Sequence, residues 1–159
     1  MRLRHCLTAA LGLIVATTAF AEELQVSGTG QGMSENTVHM VSEGHMLVDM
    51  NTKYSGFELD DPDNPMNGMS GPCFGAMEVK EGTVSGGGRC LYTDADGDMV
   101  TMQYVTERIG EDGAVIGVWS MSGGTGKWNE AVGGGSFSSL TDSETGENAN
   151  IVTGSAMLP

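Results

Sequence analysis

Three groups of side chains have the types and spacing to do chemistry. Asp94, Asp96 and Asp98 stand on alternate residues in the segment DADGD. Oxygen donors clustered in this way suit calcium. A helix–loop–helix calcium loop would need glycine sixth and glutamate twelfth, and here Gly97 is fourth and Val105 twelfth. The competing reading is an acidic hairpin tip. His39, Met40, His45, Met46 and Met50 form the second group. Thioether sulfur with imidazole can hold copper in an oxidising compartment, whereas alternating methionine also serves simply to fill a core. The third group is glycine-rich. GGTGK at Gly123–Lys127 evokes a phosphate loop, but the required first glycine is Met121 and the required Ser or Thr is Trp128. GTGQG at Gly28–Gly32 precedes no helical pattern, so it is not a dinucleotide fingerprint, and both segments read as turn glycines. No histidine neighbours a nucleophile signature, and no carboxylate pair stands out for glycoside chemistry. No catalytic residue and no cofactor is therefore assigned.

The remaining chemistry depends on where the chain resides. Arg2 and Arg4 precede an apolar stretch from Cys6 to Ala16, followed by Ala19-Phe20-Ala21. A basic head, an apolar middle and a small-x-small site make a secretory signal, with cleavage expected after Ala21. The apolar run is too short to span a bilayer comfortably, and no later segment is apolar enough to do so. The expected organisation is thus a signal peptide over residues 1–21 and one domain over residues 22–159, in the periplasm or beyond.

Two cysteines follow the leader, Cys73 and Cys90, and an even count in an exported chain points to a disulfide. Strand patterns flank Glu81-Gly82, a two-residue hairpin turn. That turn pairs Lys80 with Thr83, and stepping outward brings Cys73 opposite Cys90 at a non-hydrogen-bonded pair, with Cα atoms about 4.5 Å apart. Gly86-Gly87-Gly88 is the place where a bulge would spoil this register. A redox or metal thiol pair is disfavoured, because there is neither C-x-x-C spacing nor a third cysteine.

The elements that must position these groups are strands. No helical period occurs past Ala21; apolar residues alternate, with turn residues every ten or so positions. Strands are expected at Glu23–Ser27, Thr37–Val41, His45–Asn51, Cys73–Val79, Thr83–Thr93, Met99–Glu107, Ala114–Met121, Gly134–Leu140 and Ile151–Met157. Asp60–Pro72 carries three prolines and two glycines and reads as a long loop. Closing about eight such strands into a single up-and-down antiparallel barrel removes aggregation-prone edges, with the last strand pairing back onto the first. A two-sheet sandwich is the alternative.

Parity along these strands gathers an inward set. If Cys73 faces inward, so do Met77 and Val79, with Val84, Cys90 and Tyr92 across the hairpin. Val100, Met102 and Tyr104, then Val115 and Trp119, then Met46, Val48 and Met50, make similar rows. The possible ligand contacts in such a lumen are Met46, Met50, Met77, Tyr92, Met102, Tyr104 and Trp119. A methionine-rich interior is adaptable and suits a small apolar molecule, although an eight-stranded barrel is also just wide enough to fill itself.

The segments GRCLYTDADGDM at Gly88–Met99, GGTGKW at Gly123–Trp128, GGG at Gly133–Gly135 and GSA at Gly154–Ala156 together resemble secreted bacterial proteins with an allene oxide cyclase-like barrel, distant relatives of the plant cyclases and of dirigent proteins. The resemblance covers roughly the second half of the chain and implies a single up-and-down barrel of about eight strands. It carries over no pocket residue and fixes no activity. In that frame Trp128 plugs one end of the barrel, and the glycines permit a tight crossing and a sharp strand coil.

Charge narrows the partners. The 159 residues carry 21 acids against 7 bases; beyond Ala21 only five bases remain, for a formal charge of −16. Such a field repels nucleic acid and anionic lipid, since phosphate binding needs Lys and Arg. The expected function is a non-enzymatic binding or structural barrel, with a small apolar molecule as its possible ligand. The alternative is an isomerase or cyclase that acts by confining a reactive apolar substrate.

Overall fold

The computed structural model describes residues 22–159, so the leader expected at residues 1–21 lies outside the described residues. Among the described residues nine strands run in chain order: β1 (Glu22–Ser34), β2 (Thr37–Ser42), β3 (His45–Leu59), β4 (Gly71–Lys80), β5 (Thr83–Thr93), β6 (Met99–Ile109), β7 (Val115–Gly124), β8 (Val132–Thr141) and β9 (Glu147–Leu158). One 3-10 turn, Gly126–Trp128, joins β7 to β8. All pairings are antiparallel, in the order β1-β9-β8-β7-β6-β5-β4-β3, and β1 also pairs with β3, which closes an eight-stranded barrel. Among the described residues no helix is long and apolar enough to cross a membrane.

The ninth strand is an extension rather than a stave. β2 pairs with β3 alone, from Thr37 opposite Asp49 to Ser42 opposite His45. β1 and β2 are separated only by Glu35-Asn36 and together run antiparallel along the whole of β3. The first half of β3 therefore projects past the ring formed by its second half.

Two sequence expectations are corrected here. GTGQG at Gly28–Gly32 is not a turn but lies inside β1. Its alternate glycines occupy inward positions in line with buried Leu24 and Val26. The Phe57 ring lies where a Cβ on Gly30 would have to sit. β3 also runs eight residues past Asn51. Within that stretch Gln31 opposes Gly56 while Gly32 opposes Tyr54, so Ser55 is unpaired. A bulge of one residue reverses the parity beyond it. Tyr54 before it and Phe57 and Leu59 after it thus all join the core, where regular alternation would have turned the last two outward.

The same pairing of large with small recurs around the lumen. Tyr104 lies over Gly75 and Gly88, and the Phe137 ring lies over Gly117. Narrow barrels accommodate rings in this way, because facing positions must share a fixed interior volume. At one end of the barrel Trp128, with no exposed surface, sits with Met66 and Met69 from the long β3–β4 loop. That end is plugged, as the tryptophan's expected role required.

Candidate functional site

The hairpin β4–β5 keeps perfect register from Lys80 opposite Thr83 to Cys73 opposite Cys90, and the three glycines introduce no bulge. The two cysteines form the disulfide, with Cα atoms 4.0 Å apart. They are buried on the lumen side, and the Tyr92 hydroxyl lies 2.8 Å from the Cys73 sulfur.

Between this disulfide and the far rim lies a cavity of about 110 Å³. Its plugged end is floored by Met66, Met69 and Leu59, and its middle is walled by Tyr54, Phe57, Val152 and Phe137. Tyr54, Phe57 and Tyr92 pack as a ring cluster with centroids 5.2 to 6.0 Å apart. Of the ligand contacts expected from parity, Met50, Tyr92, Met102, Tyr104 and Trp119 stand on the cavity wall. Met46 and Met77 do not; they belong to the part of β3 and β4 that projects past the ring, where β3 is paired with β2 instead of β1.

The opposite end of the cavity is polar. Thr52, Ser139, Thr141, Asn148 and Asn150 line it, and sequence reading singled out none of them. The signal existed in parity: Asn148 and Asn150 alternate inward with Val152 and Ala156 on β9. It was hidden because the polar start of β9 reads as loop. Among the described residues, none along the wall carries a formal charge. Its titratable groups are three phenols. Burial raises the Tyr54 pKa against the opposing pull of Ser139 and Asn150. Burial, reinforced by Tyr54 and Tyr104, raises Tyr92 well above the usual phenol value, and burial pushes Tyr104 up to about 12. All three keep their protons at neutral pH, so the cavity is electrically neutral.

Asp94, Asp96 and Asp98 do come together, at the β5–β6 turn, but around a cation supplied by the chain. The Lys127 ammonium lies 2.5 Å from Asp94, 2.8 Å from Asp96 and 3.9 Å from Asp98. Asp94 also accepts from the Trp128 indole N–H at 2.8 Å and from the backbone N–H groups of Asp96 and Asp98. Burial pushes the Asp94 pKa up, but these donors outweigh it, Lys127 foremost, and hold the group at about 2. The acidic triplet proposed for calcium is thus a lock between the β5–β6 turn and the 3-10 turn, and it fixes the plug. Among the described residues no three His, Cys, Asp or Glu side chains gather in a metal-ligand arrangement.

The histidine and methionine group is split by parity. His39 reaches Asp49 at 3.1 Å and His45 reaches Glu78 at 2.7 Å, on the outer face of the β2–β3 ribbon. Met40 opposes Met46 on the other face, so imidazole and sulfur point apart.

No protein-family model matches this chain, and no curated protein matches it. Among solved structures, a pterocarpan synthase dirigent protein superposes with a TM-score of 0.54 at 10% identity, over 95% of this chain and 99% of its own. A conserved protein of unknown function from Rhodopseudomonas palustris superposes with a TM-score of 0.46 at 13% identity, over 88% of this chain and 99% of its own. At such identities the likeness to the dirigent protein is one of fold: the dirigent side of the expected resemblance holds as a shared antiparallel barrel.

Proposed function

We propose that this chain is an exported, non-enzymatic binding barrel that holds a small apolar molecule in its lumen. The observation that carries this reading is the uncharged cavity of about 110 Å³, walled by aromatic rings and methionines and left unfilled inside an otherwise packed barrel. Its size sets the scale of the occupant. Apolar protein cavities of about 150 Å³ take up a benzene-sized guest. A single ring or a short alkyl chain is therefore the matching size, and the flexible thioethers of Met50 and Met102 give the wall some adaptability. Export rests on the layout of residues 1–21 and agrees with the buried disulfide. Catalysis by confinement would have to proceed without a carboxylate or an imidazole at the wall, on shape and neutral hydroxyls alone.

Native mass spectrometry of protein purified from its own source tests the reading. The expected result is an added mass that solvent extraction removes. A bare polypeptide mass, with no extractable species and no uptake of small apolar probes, would overturn it.

A further inference from the structure

The polar rim of the cavity contains an unmet demand. Asn148 is 2% exposed and Asn150 8% exposed, and both face the cavity from β9. The Asn148 amide N–H group donates to Ser139 and Thr141 at 2.9 Å each, and among the described residues its carbonyl oxygen has no partner. The carbonyl oxygen of Asn150 has none among them either. Buried polar atoms are nearly always paired, so two adjacent orphans facing one void call for a donor from outside the chain. The surroundings say what kind of donor fits. Among the described residues the wall has no Lys, Arg or His to pair an anion, and two carbonyl oxygens repel a carboxylate. A cationic head would lose its hydration with only neutral groups in return.

We infer that the lumen selects a ligand with an apolar body and a neutral hydroxyl head, the hydroxyl donating to the carbonyl oxygen of Asn150 and the body reaching toward Met69. This deepens the binding-barrel reading and rests on it. A hydroxyl both donates and accepts, so it can serve the Asn150 oxygen and still take a bond from the Tyr54 phenol nearby. Burial keeps that phenol protonated and therefore a donor.

Titration calorimetry at pH 7.5 with 1-hexanol, hexyl methyl ether, hexanoate and hexylamine tests the inference. Hexanol should bind roughly 3- to 10-fold tighter than the ether, the worth of one neutral hydrogen bond. Hexanoate should bind at least about 100-fold more weakly, because an unpaired charge would be buried. Asn150→Leu should bring hexanol and the ether to parity. Near-UV circular dichroism checks that Asn150→Leu keeps a native fold; the wild-type series decides the matter if it does not. Equal binding of hexanol and the ether would mean that water alone satisfies the asparagines and would overturn the inference. So would hexanoate or hexylamine binding as tightly as hexanol. In either case the lumen still binds. If none of the four probes binds, the binding-barrel reading itself fails.

Discussion

Replacing Lys127 with methionine removes the cation from the acidic lock while keeping an unbranched apolar stem. Asp94 sets the size of the effect. Its side chain is only 2% exposed, and its carboxyl is held at about 2 against an ordinary value of 3.8. Nearly two pH units correspond to about 2 kcal/mol of differential stabilisation of the ionised form. The folded value lies below the unfolded one, so this stability is fully present above about pH 4 and is lost as pH falls through 2. Trp128 and two backbone N–H groups also hold the carboxylate, but among the described residues only Lys127 offsets its charge and that of Asp96 and Asp98. Without it Asp94 is an uncompensated buried anion, and its pKa should rise above 3.8. Lys127→Met is therefore expected to lose about 2 kcal/mol at pH 7 and less than about 1 kcal/mol at pH 2, where the variant's carboxyl is neutral and the wild-type carboxyl is half protonated. Urea unfolding of both proteins at the two pH values, disulfide intact, measures this directly. A loss of the same size at pH 7 and pH 2 would refute the reasoning. It would mean that the stem of Lys127 matters only through its packing beside Trp128, whose ring lies 5.8 Å from the ammonium.

Two further outcomes are expected. The double change Cys73→Ala, Cys90→Ala should lower unfolding stability by about 3 kcal/mol, the loop-closure value for residues 17 apart, and should leave the cavity able to bind; an unchanged urea midpoint would contradict the constraint. Gly135→Val should destabilise by about 1–3 kcal/mol or more, because a Cβ there meets the backbone of Thr153 and Gly154 on β9, and strands cannot move apart singly in a closed ring. A thermal midpoint within a degree of wild type would show that the wall gives way at this point.

What could be read locally was read in the sequence. Alternation of period two, turn dipeptides such as Glu81-Gly82 and Asp112-Gly113, and the lack of any 3.6-residue period determined an all-β chain and most strand positions. The disulfide was legible for the same reason. A two-residue turn sets the register of its own hairpin, and both cysteines lie on that hairpin. Parity along the strands then gave eight of the cavity-wall side chains, Cys73, Cys90 and Val115 among them.

Tertiary structure decided whatever depended on distant partners. The bulge at Ser55 exists only in the pairing of β3 with β1, so the inward turn of Phe57 and Leu59 was invisible in an isolated strand. Lys127 is 33 residues from Asp94, and no local rule sends an ammonium from one turn into the carboxylates of another. The inward facing of Asn148 and Asn150 beside Ser139 follows from β8 pairing with β9, and their unmet acceptors from what the closed ring failed to bring near them. Turn chemistry and side-chain period are short-range properties written residue by residue. A lumen is a property of closure, and its volume and its unpaired atoms come into being only when the first strand meets the third and the last.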